Sequence, residues 1–296
     1  METSRVKPVV PVDARYAAAT LAKRRAGRAL FVCFMAVLVV ADLFPLIWLF
    51  DFSLLKSGDF FASGILKWPD PPMWKNYADA FAKAHIMLLF ANSLLVSGVS
   101  IVIIILASVF MGYAFTRMEW KWRKPLFALI MVGMIIPIYS TLLPNFIIFN
   151  QVHLLNTYWS LILPYAAFSI PISMFIVTGF METIPRALEE AAVLDGLTIP
   201  GIIFRIILPV LRPAIATMAV ISFLNCWNEF IMAVTYISED SLRTLPFAVV
   251  YFMGQYTSNY GAQFAVLAMI TIPSILIYLL FTDQITRGIT AGAVKG

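Results

Sequence analysis

The chain has 296 residues, of which 61% are hydrophobic and 12% are charged, and its net charge is +5. Soluble domains carry roughly 25% charged residues, so this composition excludes an ordinary soluble protein and indicates a membrane protein. The two cysteines, Cys33 and Cys226, both lie inside apolar stretches, which excludes a disulfide scaffold and favours roles as small core residues.

The first part of the chain contains two predicted membrane spans, since a span needs about 20 apolar residues. The first runs from Ala29 to about Phe50 and follows a polar, basic segment. No small-residue cleavage site comes after it, so we expect an uncleaved anchor. The second span lies within residues 86–116, which carry no charge, and a polar stretch with three prolines separates the two spans.

The uncharged run at 125–181 is predicted to form spans three and four. It is too long for one helix, and a polar cluster at 150–157 divides it, so we expect a hairpin with a short turn. Four prolines in these spans predict bent helices, because each leaves a backbone carbonyl unpaired. Such bends suit a moving gate, and they are also common as purely structural kinks. The prolines are Pro137, Pro144, Pro164 and Pro171.

Spans five and six are predicted at about 214–237 and 264–282, joined by a polar and aromatic segment. The fold class is therefore all-α, a polytopic membrane protein with six transmembrane helices. We expect a lipid bilayer as its environment and no nucleic acid as a partner.

Positive charge orients these spans, because cytoplasmic loops carry the excess of lysine and arginine. With the N-terminus inside, the inner segments hold sixteen of the 21 basic residues and the outer segments hold five. We therefore predict a cytoplasmic N-terminal segment (1–28), a six-helix transmembrane domain (29–283) with a cytoplasmic loop (183–213), and a cytoplasmic tail (284–296).

The loop between spans four and five is predicted to form two short helices. Thr183 is suited to cap the first helix, and Gly196 is suited to the left-handed conformation that ends it. Thr198 is predicted to cap the second helix and Pro209 to close it. Two helices that hang between two spans make a protrusion shaped to enter a groove on another protein.

Two acidic residues, Asp42 and Glu229, lie within predicted spans and are candidates for a translocation path. A charge in a bilayer is costly, so it usually faces the bundle interior or a watery cavity. Asp42 lies three residues before Pro45, and we favour a structural role in which its carboxylate accepts a hydrogen bond from a freed backbone amide.

Span five carries a polar face, because Asn225, Asn228 and Glu229 are spaced i, i+3 and i+4. Trp227 lies off that face. Polar amides with a nearby aromatic suit a sugar, whose hydroxyls need hydrogen bonds and whose ring faces are apolar. Hydrogen bonding between helices, commonly worth ~1 kcal/mol or less per contact, explains the same residues equally well.

Several kinds of chemistry are missing. The chain lacks a Gly-x-x-x-x-Gly-Lys-Ser/Thr loop, so we do not expect it to bind ATP in that manner. No metal motif, cofactor motif or catalytic constellation is present. A secondary transporter usually has several coupled ionisable residues and inverted repeats, and a membrane enzyme would need a nucleophile with its base or a metal cluster. Both alternatives are disfavoured.

The loop contains Glu190, Ala191, Ala192, Asp195, Gly196, Ile206, Leu208, Pro209 and Pro213, and three further segments are Trp227–Phe230, Thr244–Pro246 and Arg287–Gly296. The loop pattern resembles the EAA loop of ABC-importer permeases. An ordinary interfacial helix would account for Glu-Ala-Ala alone, but not for the whole pattern in this position. The three further segments resemble the sugar-importing branch, and they are closest to the second permease subunit of the maltose and multiple-sugar systems.

This resemblance implies a type I ABC importer permease in a bacterial inner membrane, with both termini cytoplasmic, working by alternating access. It implies as partners a second permease, two ATP-binding subunits that hold ATP and Mg, and an extracytoplasmic sugar-binding protein. It assigns contact with the ATPase to Glu190, Ala191, Ala192, Asp195, Gly196, Leu208 and Pro209. The small-residue tail is expected to dock on a partner through Ala291, Gly292, Lys295 and Gly296.

Within the loop, Glu190 is expected to reach a basic residue of the ATPase, and Gly196 is expected to set the bend. Ala191 and Ala192 are expected to allow close approach. Glu189, on a different face of the same helix, is expected to matter less.

Overall fold

The computed structural model describes residues 14–61, 68–254 and 258–293, with side chains at 23–61, 68–254 and 258–284. These ranges are helical and contain no strand. The helices are α1 (Ala14–Ser53), α2 (Lys75–Lys83), α3 (Ile86–Arg117), α4 (Arg123–Val132), α5 (Leu142–Gln151), α6 (Trp159–Glu182), α7 (Ala187–Leu194), α8 (Ile199–Ile202), α9 (Leu208–Val210), α10 (Arg212–Trp227), α11 (Ile231–Tyr236) and α12 (Tyr260–Ala293). A π-helical turn, Ile203–Ile207, joins α8 to α9.

Four helices in the described part of the chain are long and apolar enough to cross a membrane: α1, α3, α6 and α12. They coincide with predicted spans one, two, four and six. A fifth span is counted if Ile199–Val210 and Arg212–Trp227, which meet at 80°, are taken together. The polar cluster predicted to separate spans three and four does so, since α5 ends at Gln151 and α6 begins at Trp159.

Predicted spans three and five are not single helices, which corrects the expectation from the sequence. Span three is divided between α4 and α5, and Pro137 in the gap has an extended conformation with ψ of 126°. A proline lacks the amide hydrogen and disfavours a helical residue before it, so the break falls there. Span five is divided between α10 and α11.

Helices α3 and α6 form the largest contact between two elements, and α10 packs against both α3 and α12. Gly112 of α3 faces Val177 of α6 so closely that an added Cβ would lie 2.5 Å from the Val177 Cγ1 atom. Helix α1 packs on α12 and leaves most of its apolar side chains exposed. The bundle is therefore built on the α3–α6 pair, with α1 at its edge.

One end of the bundle is joined by asparagine hydrogen bonds. The Asn92 side-chain amide, near the start of α3, donates to the carbonyl oxygens of Ser241 and Arg243 at 2.9 Å each. The Asn156 side-chain oxygen Oδ1, in the α5–α6 turn, accepts hydrogen bonds from the backbone amides of Ser238 and Glu239. The 183–213 loop meets the far end of α3, where Glu189 contacts Arg117, so this loop and the 238–243 segment lie at opposite ends of the bundle.

We expect Gly112→Ala to destabilise the protein by about 1–3 kcal/mol, because the added methyl group overpacks the α3–α6 contact. The midpoint of thermal unfolding in detergent measures the effect. Gly98→Ala on the same helix is the matched control, since nothing lies within 4 Å of its added Cβ. Adding Val177→Ala to Gly112→Ala should recover part of the loss. Equal midpoints for the two glycine variants would contradict the close contact.

Candidate functional site

A cavity of about 520 Å³ lies between α6, the end of α10 and the segment that follows the break in span three. Carboxylate, amide and hydroxyl groups line it together with aromatic rings. The lining residues are Ile138, Tyr139, Tyr165, Phe168, Ser169, Leu224, Asn225, Cys226, Asn228 and Glu229. The polar face predicted for span five therefore borders a single cavity.

Both helix breaks border this cavity. Ile138 and Tyr139 follow the gap after α4, and Asn228 and Glu229 occupy the gap after α10. Broken helices within a membrane are tolerated where they are buried in protein or line a watery cavity, and in transporters they form substrate sites. The position of the two breaks thus singles out this cavity as the candidate path.

Glu229 is buried, with 7% of its surface exposed, and its carboxylate holds the span-five break together. The Oε1 atom accepts a hydrogen bond from the Met232 amide at 2.7 Å, and Oε2 accepts one from the Ala233 amide at 3.1 Å. The Tyr165 hydroxyl of α6 donates to Oε2 at 2.6 Å. Hydrogen bonding between helices therefore explains Glu229, which caps α11 and joins it to α6.

Asn225 and Asn228 differ from Glu229 because both are exposed. The Asn228 amide donates to the Leu224 carbonyl oxygen at 2.9 Å, one turn earlier on the same helix. Both amides line the cavity and have hydrogen-bonding groups to offer a bound molecule. The shared polar face thus contains one structural carboxylate and two accessible amides.

Trp227 is fully buried, and its indole nitrogen donates to the Ile270 carbonyl oxygen at 3.1 Å. It stacks on Phe223 inside the bundle, so it is a core residue and not an aromatic neighbour of the cavity. The aromatic side chains at the cavity are Tyr139, Tyr165 and Phe168, which sequence reasoning missed. Their sequence signal is that Tyr165 and Phe168 are spaced i, i+3, which puts both on one face of span four.

Asp42 is not part of this cavity. It is exposed on α1, and within the described part of the chain its carboxylate accepts no hydrogen bond. The predicted bond from a freed amide is therefore wrong. The physical reason is that Pro45 removes its own amide hydrogen and frees a carbonyl one turn earlier, which a carboxylate cannot satisfy.

The 183–213 loop contains the two predicted helical parts. Gly196 has φ of +80°, as predicted, so a side chain there would cost roughly 1–2 kcal/mol. Thr198 occupies the N-cap position of α8, although its side chain makes no capping bond. The Thr183 hydroxyl donates instead to the Phe180 carbonyl oxygen at 2.7 Å. Thr183 therefore ends α6 and does not start the loop helix, because α7 begins four residues later.

The two glutamates of the loop have opposite environments. Glu190 and Ala191 are exposed on α7, whereas Glu189 and Ala192 are buried. The Glu189 Oε1 atom lies 2.6 Å from the Arg117 Nε atom at the end of α3. The Ala192 side chain therefore packs inside the chain and is not available to a partner. Glu189 fixes the position of α7 through Arg117, a role that the sequence did not predict.

The second part of the loop is anchored by apolar packing. Ile202, Ile203 and Ile207 are buried in one cluster with residues of α3, α6 and α10, and Leu208 packs against that cluster. Pro209 lies in the last short helix, which ends one residue later at Val210. Leu194, by contrast, is 89% exposed at the tip of α7. The loop therefore has a buried side fixed to the spans and an exposed side on α7.

The tail continues α12 as a helix to Ala293, so no break separates it from span six. The backbone at Ala291 and Gly292 belongs to this helix, while Lys295 and Gly296 lie outside the described residues.

We expect Glu229→Ala to destabilise the protein, because it leaves the amides of Met232 and Ala233 and the Tyr165 hydroxyl without their acceptor. Each buried group left unpaired costs about 1–3 kcal/mol. Tyr165→Phe should cost less, since it removes one donor only. Thermal unfolding in lipid nanodiscs measures both, with Asn225→Leu as the exposed control within about 0.5 kcal/mol of wild type. A Glu229→Ala midpoint equal to that of the control would contradict the capping role.

Comparison with known proteins places this geometry in context. Residues 104–291 match a protein family described as binding-protein-dependent transport system inner membrane component. The chain is 33% identical over 270 residues to the sulfoquinovosyl glycerol transport system permease protein SmoH of Agrobacterium fabrum, which covers 91% of this chain and 95% of that protein. It is 31% identical over 275 residues to the trehalose transport system permease protein SugB of Mycobacterium tuberculosis, and the match covers 92% of this chain and 99% of that protein.

A further relative is the arabinooligosaccharides transport system permease protein AraQ of Halalkalibacterium halodurans, 32% identical over 269 residues and covering 90% of this chain and 94% of that protein. Among solved structures, a chain of a bacterial ABC transporter involved in alginate import superposes with a TM-score of 0.75 at 19% identity, covering 88% of this chain and 97% of that chain. The likeness to this structure is one of fold.

Proposed function

Because the chain belongs to the family of binding-protein-dependent transport system inner membrane components, we propose that it is the permease subunit that moves a sugar or oligosaccharide through an ATP-driven importer. The chain is a transport subunit and not an enzyme, and ATP is hydrolysed by a partner. Relatives named for the transport of sulfoquinovosyl glycerol, trehalose and arabinooligosaccharides support a carbohydrate cargo.

The observation that carries this proposal is the polar cavity at the two helix breaks. Ligand sites combine aromatic walls with a few placed polar groups, and a sugar needs both. Here the amides of Asn225 and Asn228 and the Ser169 hydroxyl stand among Tyr139 and Phe168. We infer that these groups line the path the sugar takes, while Glu229 keeps the break in shape.

Alternating access is the mechanism we propose for this path. Closure of an ATPase pair around ATP pushes on the 183–213 loop, and the spans fixed to the loop turn the cavity outward. A binding protein then delivers its sugar to the open cavity. Hydrolysis releases the ATPases, and the cavity reopens toward the cytoplasm.

The exposed side of α7 is the part of the loop we propose to sit on the ATPase. Glu190 offers a carboxylate to a basic residue, and Ala191 beside it allows close approach. Gly196 and Asp195 fix the turn that presents α7, and Leu208 with Pro209 connects the second loop helix to span five. The assignment of Ala192 to this contact is withdrawn, because its side chain is buried.

The assembly we propose contains a second permease, two ATP-binding subunits and an extracytoplasmic sugar-binding protein in a bacterial inner membrane. Ala291 and Gly292 at the end of α12, with Lys295 and Gly296 beyond it, are proposed to dock on the cytoplasmic side.

The orientation is tested with single cysteines at Asp70 and Lys121 in intact cells. We expect a membrane-impermeant maleimide to label Asp70→Cys, and Lys121→Cys to react only after the cells are opened, because positive charge is retained inside. A control labelling of opened cells shows that both sites are reactive. The reverse pattern would overturn the predicted orientation.

The path is tested with Asn228→Leu and Asn225→Leu in the reconstituted complex. Each should lower sugar uptake several-fold, because the cavity loses an exposed amide. All subunits should still co-purify, because neither substitution removes a contact in the core. The sugars to test are those named for the relatives, trehalose first. Ser274→Ala is the control, since its hydroxyl meets Asn228 at 3.4 Å without lining the cavity. Normal uptake in both leucine variants would remove the cavity from the path.

The contact with the ATPase is tested with Glu190→Ala. Removing one partner of a desolvated charge pair costs ~2–5 kcal/mol, so retention of the ATPase should fall at least ~tenfold, which corresponds to about 1.4 kcal/mol. The amount of this chain in the membrane should not change, because Glu190 is exposed. Glu119→Ala, an exposed carboxylate in the α3–α4 loop, is the matched control. Wild-type ATPase retention and sugar uptake in Glu190→Ala would refute this contact.

A further inference from the structure

The end of α3 carries a buried charge pair that the proposed function leaves unexplained. The side chains of Arg117 and Glu189 are only 8% and 11% exposed, and the Nε and Oε1 atoms are 2.6 Å apart. These two atoms have no other hydrogen-bond partner in the described chain. A pair of charges removed from water is costly unless further groups satisfy it, so its presence at this place calls for a reason.

Arg117 contacts three parts of the chain at once. While its Nε atom faces Glu189 of α7, its Nη2 atom donates to the Met181 carbonyl oxygen at 2.9 Å and to the Ile184 carbonyl oxygen at 2.7 Å. The Met181 carbonyl lies at the end of α6 and also accepts the Ile184 amide at 3.1 Å, and the Ile184 carbonyl lies in the connection into α7. One guanidinium group, with its fixed fork of donors, therefore joins α3, α6 and α7.

The surroundings make this junction stiff. Tyr113, one turn before Arg117, faces Glu189 from the same side of α3. The Thr116 hydroxyl donates to the Met181 sulfur at 2.8 Å, and Met181 is fully buried. Glu189 is followed directly by Glu190, whose side chain is exposed on the other side of α7. A displacement of the exposed side of α7 must therefore move Glu189, and with it α3 and α6.

We propose that Arg117 and Glu189 are positioning residues that transmit the movement of α7 to spans two and four, and so to the cavity that α6 lines. This inference rests on the proposed function, because it needs an ATPase that pushes on α7. It assigns a different task to each of two neighbouring glutamates: Glu190 meets the partner, and Glu189 passes the movement into the membrane.

The test measures movement at the cavity in the complete purified complex, and ATP with vanadate is the only ligand added to cause that movement. A reporter thiol is placed in the cavity by Asn225→Cys in a background with Cys33→Ser and Cys226→Ser. The measured quantity is the rate at which a maleimide labels this thiol, and the response is the ratio of that rate with and without ATP and vanadate. Binding of the ATPase is measured in parallel by co-purification.

Glu189→Gln and Arg117→Gln should each reduce the response at least ~fivefold while the ATPase still co-purifies. The double variant should be no worse than either single one, because residues in one contact do not act additively. Exchanging the two charges with Arg117→Glu and Glu189→Arg should not restore the response, since glutamate cannot donate to the Met181 and Ile184 carbonyl oxygens. Glu119→Gln and Lys121→Gln, exposed in the next loop, are the matched controls and should respond like wild type.

Arg117→Lys provides a second test in case a glutamine variant fails to fold. Lysine keeps the positive charge but cannot reach all three partners, so the response should fall about twofold in a folded complex.

Full responses in Glu189→Gln, Arg117→Gln and Arg117→Lys would overturn the inference and leave the proposed function intact. Loss of the ATPase from these variants would also overturn it, because the pair would then serve docking and not transmission. If ATP and vanadate do not change the labelling rate of the reporter thiol in the complex without further substitutions, the proposed mechanism and this inference are both overturned.

Discussion

A helix that breaks inside a membrane must find partners for the backbone groups it releases, because the hydrocarbon offers none. Span five meets this constraint through one side chain, since the Glu229 carboxylate accepts the first free amides of α11 and the Tyr165 hydroxyl of α6. These hydrogen bonds hold the break in place, and Asn225 and Asn228 at the end of α10 line the cavity. The shape of the cavity therefore depends on the Glu229 carboxylate, whose oxygens already accept hydrogen bonds from within the chain. The polar groups that stay accessible are the side-chain amides of Asn225 and Asn228.

The 183–213 loop is fixed to the spans by polar contacts at the other end of the bundle. Arg117 of α3 donates to the Met181 carbonyl at the end of α6 and to the Ile184 carbonyl beyond it, and the same guanidinium group faces Glu189 of the loop. An apolar cluster of residues from α3, α6, the loop and α10 packs beside this contact. The loop and the wall of the cavity thus belong to one connected set of helices, as the proposed transmission of movement from α7 to the cavity requires.

Sequence reasoning reached the main features of the site for physical reasons that are local. The i, i+3, i+4 spacing placed Asn225, Asn228 and Glu229 on one face, and the glycine at residue 196 suits the left-handed turn that the structure contains. It did not reveal that Glu229 is fully engaged, that Trp227 points into the core, or that Asp42 lies apart from the cavity. Each of those depends on which helix stands opposite, and helical periodicity carries no information about the neighbour.

The amino-acid sequence by itself determined the all-α membrane class, the positions of spans one, two, four and six, and the loop between spans four and five. Apolar length, proline and glycine constraints and charge counts act within a segment, so they can be read one segment at a time. The tertiary structure alone decided where span five breaks, which aromatic rings border the cavity, and which of two adjacent glutamates is buried. Glu189 and Glu190 have the same side chain on different faces of α7, and the position of Arg117 at the end of α3 decides which of the two is the internal anchor.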